Sequence, residues 1–263
     1  MPGNREMNEF VYKWRNPIFG TLSVVGFFIA WEALLTWAVP LDPFIMSKPS
    51  LIFVGLWTEM QSGQLWSDLA ISGRPFLFGF VSAIAVGIFV GTMMGWRQRV
   101  GYALDPFLTA LYASPLVAIA PLVIIFFGVD VTGKAILVFV LCVFPLVFNT
   151  YAGVKSVDRL LVNVVRSLGG SEQAIYFKVV VPSVLPFIVA GTRYAIGRAL
   201  VGILVGEFFA ATAGIGYRIA WFSDMYELSR MFAYILVMMV LAVLLTEGIR
   251  WAERAAFPWR IGM

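Results

Sequence analysis

Six runs of apolar residues govern what this chain can become. They cover residues 18–39, 69–96, 107–127, 135–153, 183–210 and 231–250. A helix rises about 1.5 Å per residue, so about twenty residues cross the ~30 Å hydrocarbon layer of a bilayer. Strands of a membrane barrel would be about ten residues long and alternating in polarity, which these runs are not. Residues are 60% hydrophobic and only 13% charged, where soluble domains have about 45–50% and about 25%. The expectation is an all-α membrane protein with six transmembrane helices. They form a single transmembrane domain over residues 18–263, behind a polar segment at 1–17.

Charge orients the spans. Arg5, Lys13 and Arg15 precede the first run. That run is too long for a signal peptide and no A-x-A site follows it, so it reads as an uncleaved anchor. Residues 49–60 are apolar on one side but too short to cross, and read as an interfacial helix on the outer surface. In this scheme the inner segments hold Arg5, Lys13, Arg15, Arg97, Arg99, Lys155, Arg159, Arg166, Lys178, Arg250, Arg254 and Arg260, which is twelve. The outer segments hold Lys48, Lys134, Arg218 and Arg230, which is four. Lys and Arg accumulate on the cytoplasmic side, so the N and C termini are expected to be cytoplasmic. The same asymmetry explains the net charge of +4 without nucleic acid.

Most site chemistry is missing. There is no histidine, and the one cysteine, Cys142, lies inside an apolar run, so no intrachain disulfide forms. No metal-ligand cluster or nucleophile elbow occurs. The stretch Gly128-Val129-Asp130-Val131-Thr132-Gly133-Lys134-Ala135 nearly spells a P-loop, but Ala135 stands where a Ser or Thr must hold Mg²⁺. The chain therefore supplies a path and no reaction.

The polar stretch 155–182 interrupts this apolar pattern. Gly169 and Gly170 can bend or cap a helix. Ser171 can cap a short helix from Glu172 to about Lys178, with Glu172 and Gln173 exposed and Tyr176 and Phe177 buried. Pro182 suits a helix start. On spacing alone this could be an ordinary amphipathic connector or a rigid knob at the membrane surface. Elsewhere, Gly87, Gly91 and Gly95 form a bare stripe that lets another helix come close.

At these residues the chain resembles the permease subunits of binding-protein-dependent ABC importers. Their cytoplasmic loop carries E-A-A, three residues, G, nine residues, then I-x-L-P. Here Gly169 takes the glycine place, Val179, Val180, Val181 and Pro182 take the last, and Asn163-Val164-Val165 departs from E-A-A. Arg166-Ser167-Leu168-Gly169-Gly170-Ser171 is similar to the loop of the nitrate, sulfonate, taurine and bicarbonate branch. Leu104-Asp105-Pro106 and the run from Ser114 to Leu122 resemble that branch's third-span entry and proline-rich core, and Gly191-Thr192-Arg193, Gly197 to Gly202 and Gly206-Glu207-Phe208 resemble its fifth span. The resemblance implies the type I importer, MetI-like, permease fold in a bacterial-type inner or plasma membrane. It implies a homodimer, two cytoplasmic ATPase subunits and a periplasmic or lipoprotein substrate-binding protein. ATP-Mg would be bound by those ATPases and no cofactor by this chain. The coupling loop would consist of Arg166, Ser167, Leu168, Gly169, Gly170, Ser171, Glu172, Tyr176, Phe177, Val179, Val181 and Pro182.

Ionisable groups inside spans are costly and usually face protein or water. Arg193, Arg198 and Glu207 are therefore candidate path residues, with Ser114, Pro115, Asn149 and Thr150 as further candidates. Glu32 stands about 21 Å along the first span and Arg198 about 22 Å along the fifth, which suggests that they pair. Two arginines in one span lean toward an anionic solute of the sulfonate or organic-acid kind. Two other classes remain in view. A stand-alone secondary transporter usually carries internal repeats, and none is evident. A membrane-embedded enzyme would need a convergent acid, base or metal set, which the sparse carboxylates and missing histidine disfavour.

Overall fold

The computed structural model describes residues 19–38 and 46–256, and every regular element among them is a helix. The polar segment 1–17 and the end of the basic tail lie outside the described residues. Helix α1 runs Phe19–Trp37, and its last turn, Leu34–Ala38, is π-helical. Then come α2 (Pro49–Gln61), α3 (Gln64–Trp96) and α4 (Gln98–Ala113). A 3₁₀ turn, Leu116–Ile119, leads to α5 (Ala120–Phe127). Helices α6 (Val131–Lys155), α7 (Arg159–Ser167) and α8 (Glu172–Ile175) follow. A π-helical turn, Tyr176–Val180, joins α8 to α9 (Val181–Ala210), and α10 (Ile215–Asp224) and α11 (Leu228–Ala256) complete the described chain.

Five segments are long and apolar enough to cross a membrane, and α4 with the segment through α5 makes a sixth, bent by 84°. Six spans were expected, but the third differs from its expected form. It begins at Gln98, not at 107, and is broken once, at Pro115, although a second proline, Pro121, follows. Pro115 has no amide hydrogen and forces the residue before it out of the helical region, and Ser114 accordingly has ψ 151°. Pro121 lies in the first turn of α5, where a proline fits without breaking the helix.

The core is a three-helix stack of α3, α6 and α9. On α3, Gly79, Gly87, Gly91 and Gly95 all face α6, and a Cβ at any of them would collide with Ala135, Val138, Leu146, Val147, Thr150 or Val154. The expected bare stripe therefore seats a helix of the same chain. Its contacts advance along α6 as they advance along α3, so the two helices are parallel. Against the other side of α6, Gly191 meets Asn149 and Gly202 meets Val138 and Leu141, so α9 runs antiparallel. Cys142 is the expected packing cysteine: it is fully buried and its thiol donates to Ala195 O at 3.2 Å. These directions give the molecule two ends. One carries the starts of α3, α6 and α11 together with α10. The other carries Trp96, Lys155, α7 and α8.

Candidate functional site

At the α7 end the chain builds a tight corner from local chemistry. Asp158 caps α7, its carboxylate accepting from Leu160 N at 2.7 Å. The helix closes in a Schellman arrangement: Gly169 N donates to Arg166 O and Gly170 N to Val165 O, both at 2.9 Å. That closure requires a left-handed residue after the cap, and Gly169 has φ +74°. A Cβ on Gly170 would overlap Val165, so both glycines of the pair are needed. Ser171 then caps α8, accepting from Ala174 N at 3.3 Å, as its position suggested. Arg166 and Glu172 span the corner in an exposed ion pair at 2.8 Å.

The corner is anchored from below. Ile175, Val180 and Val184 pack with Val154 of α6, and Val162, Val165 and Trp96 close over them. Tyr176 stands edge-on to Trp96 at 5.6 Å. Val179 is buried, and Val181 and Ser167 bear less contact. Two expectations change here. The helix beginning at Glu172 does not end near Lys178 but runs on into α9, because the π-helical turn keeps it continuous up to Pro182, which sits in the first turn of α9. Phe177 is 67% exposed, not buried: Ile175, Val179 and Val180 occupy the inner face, and Phe177 borders an open groove of ≈ 580 Å³ with Trp96 and Met93.

The projecting element is α7. Its Val162 and Val165 face the core, while Leu160, Leu161 and Val164 are exposed and Leu168 is 82% exposed. Arg159 and Arg166 flank this apolar face. The outward turn of Leu160, Leu161 and Val164 is not legible in the sequence, because burial decides which apolar residues of an amphipathic helix face out. The available signal was an N-cap Asp158 followed by apolar residues four apart at 160 and 164. The Asn163-Val164-Val165 place thus lies on the exposed helix itself.

Among the membrane-embedded candidates, most polar groups are already engaged. Glu207 is 1% exposed. It accepts from Ser72 Oγ and Gly216 N, each at 2.8 Å, and lies 3.6 Å from Lys134 Nζ. Arg193 pairs with Glu253 of α11 at 3.1 Å. Asn149 donates to Pro145 O at 2.7 Å and Ser114 to Ala110 O at 2.9 Å. Thr150 is fully buried beneath α3, with no hydrogen-bond partner for its hydroxyl among the described residues. Pro115 is exposed at the break. The Glu32–Arg198 pair does not form. Glu32 instead accepts from Ser50 N at 3.0 Å and Ser50 Oγ at 2.9 Å, meeting the unsatisfied donors at the start of α2. Arg198 is exposed and makes no hydrogen bond or ion pair among the described residues.

The α10 end holds a polar network that the sequence did not reveal. Three successive amides at the start of α10 each meet a side chain from another helix. Gly214 N donates to Asp68 at 3.1 Å, Ile215 N to Ser72 Oγ at 2.9 Å and Gly216 N to Glu207. Asp68 also accepts from Arg218 Nε at 3.1 Å and Tyr234 Oη at 2.9 Å. Arg230 lies 3.5 Å from Glu59. Gly214 has φ +114°, and the Glu207 carboxylate fills the place a Cβ would take. Lys134, the lysine of the near P-loop, is thus a structural counter-ion on the first turn of α6. Asp68 and Ser72 share one face of α3 at four-residue spacing, the one local sign of this site.

Residues 83–256 match the family described as binding-protein-dependent transport system inner membrane component. The chain is 33% identical to a probable ABC transporter permease protein of Brucella abortus (strain 2308) over 203 residues, 77% of this chain and 81% of that protein. It is 29% identical to the taurine transport system permease protein TauC of Escherichia coli (strain K12), over 97% of this chain and 96% of that protein. Among solved structures, a chain of the inward-facing MetNI methionine ABC transporter superposes with a TM-score of 0.58. It covers 73% of this chain and 94% of that one at 17% identity, a likeness of fold alone.

Proposed function

The chain belongs to the family of binding-protein-dependent transport inner-membrane components, and on that premise we propose that it is the permease subunit of an ATP-driven importer for a small sulfonate-like or organic-acid solute. It is a multi-pass membrane protein and a transport component, not a catalyst. Two copies would enclose the path. Two ATPase subunits would seat on the α7 end, which makes that end cytoplasmic, and a substrate-binding protein would deliver the solute to the α10 end. ATP-Mg would be held by the ATPases. The solute class is supported by the similarity to a taurine permease.

One observation carries the reading: the α7–α8 corner projects an apolar face, Leu160, Leu161, Val164 and Leu168, from a base fixed to three spans. An exposed apolar patch rimmed by charge marks a protein-binding surface. Because α8 continues into α9, a displacement of the corner is delivered directly to the fifth span. ATP would bind the two conformations unequally and so drive alternation between them.

The test is co-expression with the ATPase encoded beside this chain, followed by co-purification in detergent. The intact protein retains the ATPase. Val164→Asp with Leu161→Asp should abolish retention, since each buries a charge in an apolar contact, while the protein still inserts and elutes as one species. Retention by the double variant would place the docking surface elsewhere.

A further inference from the structure

We propose that Arg198 is the charge-selecting residue of the translocation path, a mid-membrane guanidinium that receives the sulfonate or carboxylate group of the solute. This assignment rests on the permease reading above.

Helix α6 serves as a ruler of depth. Gly202 packs over Val138 and Leu141, and Ala195 O accepts from Cys142 Sγ. Arg198, between them, is therefore level with the middle of the 25-residue α6. Twelve residues at about 1.5 Å each put it about 18 Å from either end of that helix, beyond the reach of an arginine side chain. Arg74, also exposed, lies level with the start of α6 and can reach the surface. Arg198 cannot, and lipid is a poor solvent for it.

The span break stands at the same depth. Tyr112, at the end of α4, meets Phe144 and Phe148 at 6.1 and 5.5 Å, and Leu116 packs against the cluster that holds Leu137 and Leu141. Ser114 and Pro115 are thus level with residues 141–144. Val205, seven residues beyond Arg198 and on the same face of α9, packs in the cluster that holds Leu116 and Ile119. Arg198 therefore points along the face that α5 covers further up, where α5 gives way to exposed, non-helical backbone. Such backbone occurs at membrane depth only within protein or beside water. Two independent features, an unpartnered cation and an opened backbone, thus stand at one depth on the side of α9 that α5 covers further up. Gly197 beside Arg198 has nothing within 4 Å of where a side chain would begin, which leaves room for a small ligand.

The described residues of a second copy offer no counter-charge at this depth. Among the described residues, no carboxylate lies in the middle third of a span. Glu32, Glu59, Asp68 and Glu207 belong to the α10 end and are already bonded. Glu253 belongs to the α7 end with Arg193. An anion arriving from solution would neutralise Arg198, and a sulfonate or carboxylate matches the guanidinium fork with two parallel hydrogen bonds.

The test uses the complex with its ATPase in membrane vesicles. In a Cys142→Ala background, Arg198→Cys should react with the anionic reagent 2-sulfonatoethyl methanethiosulfonate, and Leu244→Cys on the outer face of α11 should not. Equal rates at the two positions overturn the proposal. Arg198→Gln should lower ATP-dependent uptake of labelled taurine by about tenfold, the loss of one charge-assisted contact. Arg198→Lys, which keeps the charge but not the fork, should fall between the wild type and Arg198→Gln, and the ATPase should co-purify with both variants. Unchanged uptake in Arg198→Gln overturns the proposal. So does a wild-type complex that holds its ATPase yet moves no sulfonate or carboxylate solute. A chain that never holds an ATPase overturns the permease reading itself.

Discussion

Glu207 shows what a buried charge does when every neighbour is arranged for it. Its carboxylate takes hydrogen bonds from α3 and the start of α10 and faces Lys134 of α6. Three helices besides its own therefore depend on one side chain. Removing one partner of a buried pair costs about 3–5 kcal/mol, because the other charge is left unpaired, whereas replacing both with apolar groups is often neutral. Glu207→Leu should therefore lower the thermal unfolding midpoint in detergent sharply, and Lys134→Met should do likewise. The double variant should recover part of the loss, leaving the amide of Gly216 and the hydroxyl of Ser72 without their acceptor. Additive losses in the double variant would mean that the 3.6 Å pair contributes nothing. The sequence could name Glu207 as a membrane-embedded carboxylate but not its partners. Those stand 135 positions away at Ser72 and 73 away at Lys134, and the pairing is made by tertiary packing of α3, α6 and α9.

The corner between α7 and α8 is the opposite case, an element whose geometry is written locally. Asp158, Gly169, Gly170 and Ser171 cap or close helices within a few residues of themselves, so spacing alone placed the cap and the turn. The same holds for the six apolar runs, since crossing a bilayer is a matter of length and polarity. What stayed hidden was the continuity of α8 with α9 and the 84° bend of the third span. Pro182 was legible as compatible with a helix start, but the chain does not announce that the helix has already begun ten residues earlier. Pro115 marks a break, yet the angle is set by how Leu116 and Ile119 pack on α6 and α9. The exposed face of α7 was likewise hidden, because burial decides which apolar residues of an amphipathic helix turn outward. Gly169→Ala tests the corner. Placing a β-carbon at φ +74° costs about 1–2 kcal/mol, enough to loosen the α7 closure without unfolding the spans. Hydrogen exchange should rise at the amides of Gly169 and Gly170 and leave α6 unchanged. Exchange rising equally across α6 would mean that the corner is not an independent unit.

Across the whole molecule the two ends are built for different tasks, and that difference carries the orientation. At the α10 end, Lys134, Arg218 and Arg230 are matched to Glu207, Asp68 and Glu59, so three of its cations are structural counter-ions that tie helices together. At the α7 end, Arg97, Arg99, Lys155, Arg159, Arg166, Lys178, Arg250 and Arg254 outnumber the five cations Lys48, Arg74, Lys134, Arg218 and Arg230 of the other end. Excess Lys and Arg are retained on the cytoplasmic side during insertion. The apolar face of α7 lies at that same end, and the proposed orientation would put it where a soluble ATPase could reach it. Orientation can be read with single cysteines in a Cys142→Ala background, replacing two exposed serines of similar size. Ser223→Cys, at the end of α10, should react with a membrane-impermeant maleimide added to cells whose outer barrier is opened. Ser167→Cys, at the end of α7, should resist it there and react only in inside-out vesicles. The reverse pattern would put α7 outside, where no ATP-driven partner could reach it, and would remove the coupling role from the corner. Labelling of both positions from one side would instead require an odd number of crossings between residues 167 and 223 to be wrong. The bent α4–α5 segment is not between them, so that outcome would fall on α9 alone.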